Sequence, residues 1–372
     1  MAFLATKSSN FARSASFGAA LCLSAGALGV SLCFFAPHLW LMRTVVPGSF
    51  EWARGLDYLR RCQDPFASNV VPAMRWRFLP QLIAYGLHLG MRGCLVIPWL
   101  GVVALTLGCA MILLRAPGVS SWAAFAGLVL VTTTSPILCS TGWLGINDCW
   151  MVGGLVLIAF TASPVWIAVA TLVVPWIDER FWFGLPAAWL IRSLQSEGGL
   201  TRRDWAVLAA AAIPCVAIRF WGLRHGSADP SAIFLREESS GILLRLNQAP
   251  MGCWMGVRWA ILPVVLVWEA LWRRWGALGG ALAAATLAGP LFVLAMIASD
   301  TMRSTGIALP WVLYGYIAFV RRTGALRWAV GLAGLQLLTP AAQVSADKDQ
   351  RIDSLPVELI RLQRPPQSAV RP

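Results

Sequence analysis

Long apolar blocks separated by short charged connections fill the chain from residue 17 to residue 339. A helix needs about 20 apolar residues to cross the hydrocarbon core, so these blocks read as membrane spans. They fall at 17–42, 94–114, 121–140, 149–162, 164–177, 182–194, 204–221, 256–272, 277–298, 305–320 and 325–339, which predicts eleven spans. The segments between 149 and 194 are short. At about 14 residues, or roughly 21 Å of helical rise, each requires a thinned or water-penetrated stretch of membrane.

Two interruptions of the pattern carry their own information. Between residues 43 and 93 lies a loop in which Trp52, Leu56 and Leu59 recur at helical spacing, with Arg54, Asp57 and Arg61 on the opposite face. This predicts a short amphipathic helix on the membrane surface, stopped at Asp64-Pro65 because a residue before proline is pushed out of the helical region. Phe78–Leu89 is apolar but too short to span and is expected at the interface as well. The stretch 222–254 mixes acids with an apolar patch at 242–246 and reads as an interfacial helix or lid, and 340–372 is polar, proline-rich and without periodicity, which predicts a disordered tail. The expected fold is therefore an all-α polytopic transmembrane bundle of about eleven spans, a single domain over residues 1–339 with interfacial helices in its first outer loop.

Composition sharpens this picture. Apolar residues make up 58% of the chain and charged residues 13%, values that fit a multi-pass integral membrane protein. The net charge of +13 sits at the ends of apolar runs, where lipid phosphate rather than nucleic acid is the natural partner. The basic residues are almost all arginine, and alanine and glycine are abundant, which suggests a bacterial inner-membrane protein from a GC-rich genome. Nine scattered cysteines and three distant histidines offer no metal-ligand spacing, although Cys62 and Cys253 lie in the two longest loops and are candidates for a disulfide.

With the amino terminus inside, Arg115, Arg192, Arg202, Arg203, Arg273, Arg274, Arg321 and Arg322 all fall in inner connections, as the positive-inside rule requires. The loop at 43–93 departs from the rule, facing outward with seven arginines against three acids. The same arrangement gathers Asp57, Asp64, Asp148, Asp178, Glu179, Asp300 and Arg303 on the outer face, and ionisable residues converging at membrane depth suggest a site. Each also has a plainer role. Asp57 is placed to bridge Arg54 and Arg61, Asp64 to sit in a turn, Asp148 to cap a helix, Asp178-Glu179-Arg180 to turn the chain, and Asp300 to pair with Arg303. Against the last of these, Asp300-Thr301-Met302-Arg303 opens a helix, whose amino end and arginine together suit a phosphate.

The order of one span, a loop with Gly55-Leu56-Asp57-Tyr58, and then Trp76-Arg77-Phe78-Leu79-Pro80 opening an interfacial helix resembles the GT-C superfamily of integral-membrane glycosyltransferases. Acids at the outer ends of middle helices and an Asp-x-x-Arg such as Asp300 to Arg303 are similar to features of that group. The chain departs from it in lacking a doubled acidic pair in the first loop. The resemblance implies transfer of a sugar from a polyprenyl-phosphate carrier to an acceptor hydroxyl at the outer face. It implies Asp57, with Asp64 second, as the base, Arg77 and Arg303 as phosphate ligands, and Asp148, Asp178, Glu179 and Asp300 as further substrate contacts. Asp178 or Glu179 is also a candidate ligand of a divalent cation. Two other classes compete: a transporter or flippase of a lipid-linked or anionic substrate, and a non-catalytic membrane protein of polysaccharide assembly. The first predicts internal repeats, and no second copy of the 43–93 loop is found.

Overall fold

The computed structural model describes residues 16–37, 58, 60–65, 76–143, 145–195, 200–225, 242–298, 300–324, 326–344 and 349–363. Nearly all of it is helix. The elements are α1 (Phe17–Phe34), α2 (Leu79–Gly86), α3 (Gly93–Arg115), α4 (Ser121–Thr132), α5 (Ser135–Gly142), α6 (Asp148–Phe160), α7 (Pro164–Val173) and α8 (Phe181–Gln195). They continue with α9 (Arg202–His225), α10 (Ile242–Val257), α11 (Ile261–Trp275), α12 (Ala277–Ile297, with a π turn at Ala284–Ala288), α13 (Thr301–Ser304), α14 (Leu309–Thr323) and α15 (Leu326–Leu338). A two-stranded antiparallel hairpin, β1 (Ala341–Val344) and β2 (Asp349–Ile352), and α16 (Leu355–Gln363) follow.

Among the described residues, five helical stretches are long and apolar enough to cross a membrane, or six when one bent pair counts as a single span, against the eleven expected. They are α1, α3, residues Arg202–Trp221 of α9, the continuous stretch Arg245–Trp275, and α12. The bent pair is α4 and α5, which meet at 58° where one straight span over 121–140 was expected. The cause is local. Thr133 Oγ1 donates to the Val129 and Leu130 carbonyls at 2.8 and 3.0 Å, Thr134 Oγ1 to the Val131 carbonyl at 2.6 Å, and Pro136 in the next turn has no N–H to continue the ladder.

The core lies among α3, α4, α6, α8 and α14, with Trp311, Tyr316 and Phe181 fully buried. Two buried aromatic polar groups of α14 are paired across helices, as expected where no water competes. Trp311 Nε1 donates to the Ala187 carbonyl at 3.1 Å and Tyr316 Oη to the Ala123 carbonyl at 2.6 Å. Outside, Trp122, Val165, Ile213, Phe220, Val265, Leu278 and Phe292 project from the bundle, an apolar surface that suits lipid rather than water.

Three other expectations change. The polar interruption at 242–254 is not a separate interfacial piece, because α10 runs on through a 3-10 turn at Arg258–Ala260 into α11. Residues 341–344 and 349–363 form two paired strands and a helix rather than a disordered tail, since Ala341, Val344 and Ile352 bury against Leu138, Trp143 and Met302. Cys62 and Cys253 are both free thiols, Cys62 buried with Tyr58 and Cys94 and Cys253 on α10. The predicted stop at Asp64-Pro65 matches the described chain, in which helical residues 60–63 end there. The rest of that amphipathic helix, including Asp57, lies outside the described residues.

A buried ion cluster as the candidate functional site

The two ends of the bundle differ in chemistry, and contacts between segments fix which residues share an end. At one end Arg321 Nε donates to the Pro117 carbonyl at 2.9 Å, Glu269 receives both Arg273 and Arg322, Arg274 reaches the Ser193 carbonyl at 3.2 Å, and Arg192 pairs with Asp204 at 2.9 Å. Arg192, Arg273, Arg274, Arg321 and Arg322, which meet here, are five of the eight arginines that the spacing of apolar blocks had grouped together. α8 leads from there to the other end; its 15 residues give roughly 22 Å of rise.

At that other end, four chain segments bring their charges together. The turn Asp178-Glu179-Arg180 sits between the 3-10 turn Val174–Trp176 and α8, Asp148 opens α6, Asp300 and Arg303 open α13, and Arg77 precedes α2. Arg77 Nε donates to Glu179 Oε2 at 2.8 Å, its Nη2 pairs with Glu179 Oε1, and its Nη1 lies 3.6 Å from Asp178. Arg180 grips Asp178 at 3.0 and 2.6 Å and reaches Asp148 Oδ1 at 2.6 Å. Arg303 holds the same Asp148 through Nε at 2.8 Å and Nη2 at 2.7 Å, and Asp300 stands 3.7 Å away. Gln343 of β1 closes the chain with a 2.8 Å hydrogen bond to Asp300 Oδ2. Four carboxylates against three guanidiniums leave one negative charge.

The cluster is buried at its centre and open at one rim. Asp148, Asp178, Arg180 and Arg303 are almost wholly covered, whereas the side chains of Arg77 and Glu179 keep 18% and 31% exposure. The rim is walled by aromatic rings: Trp176 lies 5.3 Å from Phe78 and 6.4 Å from Trp76 between centroids. Burial opposes ionisation of Asp178, yet Arg180 and Arg77 outweigh it and hold its carboxyl well below the usual carboxylate range. For Asp300 burial wins over Arg303 and the Gln343 hydrogen bond, and its carboxyl is pushed up.

Six of the eight sequence candidates, Arg77, Asp148, Asp178, Glu179, Asp300 and Arg303, thus meet in one network. Asp64 ends the helical turn whose Arg61 donates to the Arg77 carbonyl at 2.9 Å, so it belongs to a segment tied to the cluster, and Asp57 lies outside the described residues. Asp148 is the first residue of α6 rather than its cap, a position that leaves its carboxylate to the two arginines. The amino end of α13 is closed by its own cap, Asp300 Oδ1 accepting from the Arg303 N–H at 3.3 Å, and Arg303 is committed to Asp148 rather than left free for an anion. Among the described residues no three of His, Cys, Asp and Glu stand together as ligands for an ion.

Arg180 was legible only as one of three adjacent ionisable residues, and Gln343 gave no signal in a segment without periodicity. A third missed residue is Arg258, fully buried at the joint of α10 and α11 with φ of 48°. It donates to the Thr339 carbonyl at 2.9 Å and to the Thr133 carbonyl, at the carboxy-terminal ends of α15 and α4. The negative ends of two helix dipoles stand in for a carboxylate. Comparison with protein-family models, curated proteins and solved structures finds none that matches the chain.

Proposed function

We propose that this chain is a multi-pass inner-membrane glycosyltransferase of the GT-C type, moving a sugar from a polyprenyl-phosphate carrier to an acceptor hydroxyl at the outer face. The observation that carries the reading is the convergence of Arg77, Asp148, Asp178-Glu179-Arg180 and Asp300 with Arg303 at the end of the bundle away from its arginine-rich connections. Eleven crossings are the proposed arrangement. Its support is that α1, α3, α4, α6, α7, α8, α9, α11, α12, α14 and α15 follow one another between those two ends, the short ones in a thinned membrane.

Within the cluster the roles divide by freedom. A general base must accept a proton in its working state. Asp148 and Asp178, each gripped by guanidiniums, are poor bases and serve to fix the arginines. Asp57 remains the first choice and Asp64 the second, with Glu179 on the open rim placed to orient an acceptor hydroxyl. Arg77 supplies positive charge beside it.

A transporter or flippase is the second reading, favoured by the broken pair α4 and α5. The two separate in proteoliposomes supplied with a polyprenyl-phosphate sugar labelled in the sugar and an oligosaccharide acceptor. Transfer gives a labelled acceptor and free polyprenyl phosphate. Label that changes sides while still on its lipid would sink the transferase reading.

A further inference from the structure

The arginines of the cluster are committed to carboxylates, but a guanidinium beside them is not. Arg219 of α9 donates through Nη2 to the Pro175 carbonyl at 3.0 Å, and its guanidinium carbon lies 5.7 Å from the ring centre of Trp76 and 5.9 Å from that of Trp176. Its Nε is buried without an acceptor, and no partner of Arg219 among the described residues is a carboxylate. Pro175 and Trp176 directly precede the turn that supplies Asp178 and Glu179, and Trp76 is the neighbour of Arg77. The cation, with no carboxylate partner among the described residues, therefore sits on the aromatic rim of the cluster.

Its own helix faces lipid. Ile213, Val216, Ile218, Phe220 and Trp221 of α9 are all exposed, and only 17% of the apolar window of this helix is buried. Arg219 follows Arg202 by about 26 Å of helical rise, which brings it to the level of the opposite membrane surface. A cation on such a face is costly unless an anion meets it, and the anions at that depth are lipid phosphates. The two indoles hold the guanidinium in place before any ligand arrives, which lowers the ordering cost of binding.

We propose that Arg219, bracketed by Trp76 and Trp176, holds the phosphate of a membrane amphiphile whose tail lies along the exposed face of α9. This assigns phosphate binding to a residue other than the committed Arg303. The site rests on the transferase reading only for the identity of the amphiphile as a sugar carrier. A carrier phosphate and an ordinary phospholipid headgroup share this chemistry.

The test is native mass spectrometry of the full chain in neutral detergent, titrated separately with polyprenyl phosphate, phosphatidylglycerol and inorganic phosphate. A charge-assisted hydrogen bond accounts for about a ten- to hundredfold change in binding. Lipid-phosphate adducts are expected in the wild type, to fall by that factor in Arg219→Gln, and to be partly kept in Arg219→Lys, which retains a point charge and controls for folding. The lipid retained more strongly identifies the source. Equal binding by wild type and Arg219→Gln, or inorganic phosphate bound as well as either lipid, would overturn the site. Lipid binding that persists in a protein unable to transfer sugar removes the transferase reading and leaves the Arg219 site standing.

Discussion

Asp148 is the residue on which the buried charges depend, because it hydrogen-bonds two arginines, Arg180 and Arg303, whereas Asp178 hydrogen-bonds Arg180 and meets Arg77 only at 3.6 Å. Asp148→Asn leaves Arg303 with only the 3.7 Å contact to Asp300, whereas Arg303→Ala leaves Asp148 still paired with Arg180. Breaking a buried pair by removing one partner costs about 3–5 kcal/mol. Thermal unfolding in detergent should show a loss of that order for Asp148→Asn and a clearly smaller one for Arg303→Ala. The flanking acids differ in sign. Stability from Asp178, held below its ordinary range, is present at neutral pH and is lost as pH falls through and below the usual carboxylate range. Asp300 is raised, so the folded chain keeps its proton to higher pH than the unfolded chain and its contribution declines as pH rises from the ordinary carboxylate range. Unfolding measured against pH should therefore find Asp300→Asn gaining on the wild type as pH increases. Residue types at the site were readable because acids and arginines are rare in apolar sequence. Their pairing was not, since Asp148 and Arg303 lie 155 residues apart and only the fold decides that Arg303 turns to Asp148 before Asp300.

Among elements, close helix contacts are set by small residues. A Cβ on Gly315 would meet the Pro263 carbonyl oxygen, a backbone atom of α11 that cannot swing aside, whereas one on Gly127 would meet the Tyr316 ring at 2.5 Å. Overpacking costs about 1–3 kcal/mol. Gly315→Ala is expected at the upper end of that range by thermal unfolding, with Gly331→Ala near neutral because nothing lies within 4 Å of its added carbon. Apolar periodicity located α3, α6, α8, α12 and α15 to within a few residues. It failed where polarity and geometry part company. The Thr132-Thr133-Thr134 break hides inside apolar sequence, and α10 carries Arg245, Asn247 and Gln248 inside a continuous helix. β1 and β2 pack on an apolar seat made by Leu138, Trp143 and Met302, which no local pattern announces.

For the whole molecule the organising fact is polarity of charge between ends. Arginines in short connections gather at one end and the acid-rich cluster at the other, and the positive-inside rule assigns the first to the inner compartment. Cysteines introduced next to Arg202 and Arg274 should react with a membrane-impermeant thiol reagent only from inside, and those next to Asp64 and Asp178 only from outside. Reaction of the last two from opposite sides would dismantle a single site. Within that frame the central claim is that the open rim of the cluster works on substrate. The measurement that addresses it most directly is the rate of sugar transfer from a panel of polyprenyl-phosphate sugars by purified wild-type protein and by Glu179→Gln, each checked for its melting temperature. The account predicts transfer from at least one donor by the wild type and a loss of about tenfold or more in Glu179→Gln, in line with the 1.5–3 kcal/mol of a charged hydrogen bond, in a protein that still folds. Wild-type rates in a folded Glu179→Gln protein, or no transfer from any donor, would contradict it.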